Sequence, residues 1–207
     1  MSVLTTPKQL FVHELKDVYY AEKTLTKALP QLAEEASDRE LSRAFTSHLK
    51  ETEKQIKNLE KVFQQIGEQA EGERCPGIEG IKKEHDEFMQ ENKPSPEIRD
   101  AFLTGAGART EHYEIAAYTG LVAKARALGE REAVALLQEN LKQEKEALRK
   151  METIEKRLLK EQNGSRSSTN GGSRSSSRSS RSTTSRSSGS RSSASRSRSS
   201  SKSGSSR

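Results

Sequence analysis

From Phe11 to Leu158 the apolar residues of this chain recur at steps of three and four. That spacing lines them up on one face of an α-helix, where a half-buried strand would need strict alternation. Four such stripes can be followed. The first runs Phe11, Leu15, Val18, position 22, Leu25, Leu29 and Leu32. Thr6 and Pro7 are its start signal, and Pro30 predicts a kink near its end. The second runs Leu41, Phe45, His48, Thr52, Gln55, Leu59, Val62 and Ile66. A capping box of Ser37 and Glu40 is expected to open it and Gly67 to close it. The third follows Ser95 and Pro96 through Phe102, Ala108, Glu111, Ile115, Tyr118, Val122 and Ala125 to Gly129. The fourth runs Val134, Leu137, Leu141, position 144, Leu148, Met151, Glu155 and Leu158, with an end expected near 161–163.

Residues 67–95 separate the second stripe from the third. Gly72, Pro76, Gly77 and Gly80 break the start of this connection and Pro94 closes it, while Ile78, Ile81, His85 and Phe88 predict a short helix around 78–91. A connection of this length can carry the chain the about 30–45 Å from one end of a bundle to the other. Two helical hairpins joined by one long crossover make an all-α, ferritin-like four-helix bundle. The small residues Gly105 to Ala108 would let a neighbouring helix come close.

The centres of these stripes are not apolar. Position 22 is Glu22 and position 144 is Glu144; Glu51 stands beside His48 and Gln55; Glu111 and Glu114 fall in the middle of the third stripe. Glu22 to Glu51 is 29 residues and Glu114 to Glu144 is 30, separations that bring the residues of an antiparallel hairpin level. Carboxylates sharing one buried layer repel, and burying them charged costs several kcal/mol each. A Lys or Arg could reach in, the carboxyls could share protons, or cations could neutralise them. Lys and Arg fall mostly off the stripes, which favours metal. The candidate ligands are Glu22, Glu51, Glu111, Glu114 and Glu144, both residues of the third helix staying open, with His48 and His112 as candidate nitrogen ligands. Tyr19 and Tyr118, one turn from Glu22 and Glu114, and Gln55 are candidate supporting groups. His13 and His85 read as surface or loop-helix residues, and Cys75 as a partly buried residue of a turn.

The segments "LKDVYYAEKTLTKALPQLA", "HLKETEKQIKNLEKVF" and "TEHYEIAAYTGLVAKARALG", with "RCPGIEGI" in the connection, resemble the YciE/YciF family of bacterial ferritin-like proteins (DUF892) over about residues 6–160. The resemblance implies a ferritin-like fold similar to rubrerythrin, an association with stress responses, a metal site and a homodimer. It does not imply a defined reaction. The Glu-x-x-His motif of ferritin-like bundles is missing here, because Lys54 follows Glu51 and Ala147 follows Glu144 at the third position. An oxygen-rich site with few histidines suits iron or manganese better than zinc or copper. The reaction class in view is ferroxidase- or peroxidase-like oxidation.

Composition changes sharply near residue 162. Residues 163–207 are almost wholly Ser, Arg, Gly and Thr, with no acidic residue and a charge of +10 against +6 for the whole chain, so residues 1–162 carry −4. Such a stretch has too few apolar groups to offset the entropy of ordering and is expected to be a disordered tail. Arg166, Arg174, Arg178, Arg181, Arg186, Arg191, Arg196, Arg198, Lys202 and Arg207 would bind nucleic acid through its phosphates, steeply in salt and without sequence preference. No run of apolar residues is long enough for a membrane span, no signal peptide is read at the N-terminus, and a single cysteine suits a reducing cytosol. Two functions follow. One is a cytoplasmic dinuclear iron or manganese protein held near the nucleoid by its tail. The other is a non-enzymatic helical dimerisation module that presents a nucleic-acid-binding tail.

Overall fold

A computed structural model describes the backbone of residues 3–169 and the side chains of 3–163. The disordered, nucleic-acid-binding character expected of the basic stretch therefore concerns residues outside the described ones, apart from the first few.

The described residues form five helices: α1 Pro7–Glu35, α2 Arg39–Gln65, α3 Pro76–Asn92, α4 Pro96–Leu128 and α5 Arg131–Thr169. α1 packs on α2 and α4 on α5, as two hairpins; α2 on α5 and α1 on α4 close the four-helix ring, and α3 lies against α4 and α1.

Local signals account for most boundaries. Thr6 accepts the Gln9 amide hydrogen while the Gln9 side chain returns to the Thr6 amide, so both orphan donors of that turn are satisfied. Pro30 lies inside α1, which continues to Glu35. The expected cap of α2 is corrected by one residue. Asp38, not Ser37, is the N-cap and accepts from the amides of Glu40 and Leu41. The amides of Ser37 and Asp38 themselves donate to the buried Asp100 carboxylate of α4, each at 2.8 Å, so the turn between α1 and α2 is held by the other hairpin. Gly129 ends α4 at φ 78°, a left-handed conformation that costs glycine nothing. α5 runs past its expected end to Thr169. A lone glycine such as Gly164 costs a helix only about 1 kcal/mol, too little to stop it.

The apolar core is split in two. One block holds Phe11, Leu15, Val18, Leu59, Val62, Phe63, Leu121 and Leu137. The other holds Leu25, Leu29, Leu41, Phe45, Leu103, Met151, Ile154 and Leu158. Each buried large side chain contributes about 1.5–3 kcal/mol, so the blocks can carry a polar layer between them. At Gly107 of α4 a Cβ would come within 3.2 Å of Met151 Sδ, which is why a small residue stands where α5 approaches.

Candidate metal centre

Between the two blocks every stripe turns polar at once. α1 contributes Glu22; α2 His48, Thr52 and Gln55; α4 Glu111 and Glu114; α5 Asn140 and Glu144, all buried. One ligand atom from each of His48, Glu111, Glu114 and Glu144 can be chosen so that all lie within 4.8 Å of one another. Ligands on opposite sides of one ion at about 2.0–2.2 Å stand about 4.0–4.4 Å apart, so the quartet is close to closing on an ion.

Several of these side chains are held on one side and open on the other. Tyr118 donates its hydroxyl hydrogen to Glu22 Oε1, and Gln55 Nε2 donates to Glu144 Oε1. His48 Nδ1 faces Glu51 Oε2 at 3.4 Å, and with the ring hydrogen on that nitrogen the Nε2 lone pair is left for the layer. His48 Nε2 lies 3.3 Å from Glu111 Oε1 and 3.8 Å from Glu144 Oε2, ion-pair distances without hydrogen-bond geometry. Glu22 Oε2, His48 Nε2, both Glu114 oxygens, Thr52 Oγ1 and Gln55 Oε1 have no hydrogen-bond partner, and the Glu111 and Glu144 carboxyls, otherwise open, lie close enough to share a proton. Among the described residues no Lys or Arg forms an ion pair with Glu22, Glu111, Glu114 or Glu144.

Burial, compounded by the Glu144 charge, pushes the carboxyls of Glu22, Glu111 and Glu114 well above the usual range. Burial likewise raises the Tyr118 hydroxyl, with Glu22 and Glu144 adding to it, so this hydroxyl stays protonated and has a hydrogen to donate to Glu22. Unpartnered oxygens, one imidazole nitrogen and no internal cation form a donor set that could hold a metal ion.

The other expected residues fall outside this inner set. Glu51 stands at the rim, its side chain 37% exposed, and its contact with His48 holds its carboxyl below the usual range despite partial burial. His112 is corrected: it faces solvent, because Glu111 and Glu114 occupy the inward positions of that turn. Tyr19 turns away from Glu22 and donates to Glu60 at 3.0 Å. His85 lies on the connecting helix, one of the two places expected for it, and not at the surface. It is buried between Glu35 (2.8 Å) and Asp86 (3.1 Å) and fastens α3 to the end of α1. Cys75 is fully buried at the N-cap of α3, 2.8 Å from the Tyr113 hydroxyl. Asn140 and Asn58 escaped the sequence reading. Asn140 sits three residues after Leu137 and four before Glu144, and that step was the available signal.

These features define a class: a ferritin-like four-helix bundle crossed by a buried carboxylate–histidine layer. The chain belongs to the DUF892 family, a domain of unknown function whose family model matches residues 6–163. It is similar to Protein YciF of Escherichia coli K12, with 40% identity over 143 residues, 69% of this chain and 86% of that one. Among solved structures it is similar to YcfI from Rhodopseudomonas palustris, with 44% identity, TM-score 0.70 and coverage of 72% of this chain and 94% of that one. The crystal structure of the E. coli stress protein YciF matches at 37% identity and TM-score 0.72 over 76% of this chain and 99% of that one. Among the described residues no helix is long and apolar enough to cross a membrane.

Proposed function

We propose that this chain is a ferritin-like stress protein that binds a dinuclear iron or manganese centre in the layer between its two core blocks. The observation that carries this reading is the cluster of buried, unpartnered ligand atoms on His48, Glu111, Glu114 and Glu144, joined from α1 by Glu22 Oε2. Ionised, the four glutamates carry −4, the charge that two divalent ions cancel. Burial holds protons on this layer in the absence of metal, so loading would release them. Bound iron or manganese supplies the chemistry of metal oxidation by oxygen or peroxide, which suits a protein related to a stress protein. The chain's residues hold the charge, exclude water and fix the ligand atoms: Tyr118 sets Glu22, Gln55 sets Glu144 and Glu51 sets the His48 ring.

Elemental analysis of the purified full-length chain after anaerobic ferrous or manganous loading tests this. About two ions per chain are expected, with loss in Glu114→Gln/Glu144→Gln. A chain that stays metal-free after loading overturns it.

A second reading rests on the +10 charge of residues 163–207. In it the bundle is a dimerising platform in the cytoplasm, and the basic stretch binds nucleic acid, drawing the protein to the nucleoid. A DNA affinity that is steep in salt and lost on deleting residues 170–207, in a chain without metal, would favour it.

A further inference from the structure

The apolar blocks close the layer along the bundle axis. An ion travelling that way would have to shed its water among Leu59, Leu137, Phe45 and Met151, at a desolvation cost nothing there offsets. The side of the bundle between α2 and α5 is different. A surface notch of about 220 Å³ lies there, with the small side chains Ala44 and Ala147 in its walls and His48, Glu51, Glu146 and Lys150 among its lining; Glu146 is exposed and pairs with Lys142, whereas Glu51 reaches inward to His48. One water needs about 10–15 Å³ of such space, so the notch has room for several waters around an ion. His48 is only 5% exposed and its unpartnered Nε2 belongs to the layer, whereas Glu51 reaches water. Glu51 also touches His48 Nδ1 at 3.4 Å, so one side chain joins solvent to the first buried ligand.

We infer that the notch between α2 and α5 is the way in for a hydrated divalent cation, with Glu51 taking the ion at the mouth on its way to the layer that His48 Nε2 faces. This rests on the metal-binding reading above. Glu51 gathers cations at the mouth, and its hold on the imidazole keeps Nε2 turned to the layer as the waters are exchanged for ligands. Lys150 is exposed on the same mouth and lowers the local negative potential, so it slows capture.

The test is stopped-flow uptake of Co²⁺ by the full-length chain at low salt, read from the visible absorption of the bound ion, with the final number of ions measured separately. Glu51→Gln should slow uptake about tenfold; Lys150→Glu should speed it about threefold and leave the final number unchanged. Lys83→Glu, on exposed α3 surface, makes the same change in net charge and should leave the rate alone. Glu51→Gln and Lys150→Glu proteins that take up Co²⁺ at the parental rate would overturn the access route while sparing the metal site. Loss of a bound ion in Glu51→Gln would make Glu51 a ligand and overturn its role as a relay. A parental chain that binds no Co²⁺ would overturn the metal-binding reading and this inference with it.

Discussion

Asn140 of α5 donates an amide hydrogen to the Tyr118 hydroxyl of α4 at 3.0 Å, and that contact decides where the Tyr118 proton points. Asn140 also donates to the Gln55 backbone carbonyl at 3.2 Å, which fixes its amide orientation, and its oxygen accepts from Asn58 at 2.8 Å. A hydroxyl has one hydrogen to give, so Tyr118 gives it to Glu22. The chain Asn58–Asn140–Tyr118–Glu22 thus runs through α2, α5, α4 and α1, and it satisfies one oxygen of Glu22 while leaving the other for the layer.

Tyr118→Phe removes the middle of that chain and leaves both Asn140 and Glu22 short of a buried partner. The metal-free protein should lose about 1–3 kcal/mol, read from urea unfolding midpoints. A double-mutant cycle with Asn140→Ala should show coupling of about 0.5–3 kcal/mol between the two sites. Strict additivity would mean the chain of hydrogen bonds does not act as a unit.

Glu114 is the residue whose needs the metal-free protein serves least, with neither carboxyl oxygen partnered. Glu114→Leu replaces it with an apolar group of similar volume. Scanning calorimetry in chelator should show the variant more stable by about 1–3 kcal/mol. Manganese, which should raise the parental Tm, should no longer do so. A variant that is less stable in chelator would mean that Glu114 has a structural partner in solution and is not kept for a ligand.

The helices were readable because Phe11, Leu15 and Val18, or Leu59 and Val62, repeat a spacing that packing requires. The polar layer was readable for the same reason: Glu22 and Glu144 stand where that spacing calls for leucine. Rotation of α4 was less legible. The expected stripe and the buried face share Glu111, Tyr118, Val122 and Ala125, but nearer the helix start the buried residues are Leu103 and Gly107 where Phe102 and Ala108 were expected, because glycine carries no apolar signal. His112 was drawn into the layer by that ambiguity. His85 and Cys75 were hidden for another reason, since their burial depends on how the crossover lies across α1 and α4, and no local pattern encodes it.

The crossover offers a paired test. A Cβ at Gly77 would meet the Tyr113 ring at 2.6 Å. That ring cannot easily yield, because its hydroxyl is fixed by Cys75 and by Asp17, each at 2.8 Å. Gly77→Ala should therefore cost about 1–3 kcal/mol by overpacking. At Gly80, one turn on, a Cβ meets nothing within 4 Å. Gly80→Ala should stabilise α3 by about 0.5–1 kcal/mol through helix propensity alone. Thermal unfolding of the two variants side by side reads both, and equal shifts would show that α3 does not pack on Tyr113 as described.

The far end of the bundle carries a pH signature separate from the layer. Partial burial works against the charge of Asp38, but the Arg157 hydrogen bond at 2.7 Å and the amides of Leu41 and Glu40 outweigh it and hold the carboxyl below its usual range. A carboxyl depressed in the folded state stabilises the fold above its unfolded value, about 3.9, and loses that stabilisation as the pH falls through the lower folded value. Arg157→Met removes the side-chain partner but keeps much of the stem that packs there. Because Arg157 is partly exposed and salt screens it, the cost at pH 7 should be only about 1 kcal/mol. The gap between parent and variant should hold steady from pH 7 to about 5 and close as the pH drops below about 3.9. Urea unfolding across that range reads it, and a gap that stays constant below pH 3 would show that Arg157 acts by packing and not by holding the charge of Asp38.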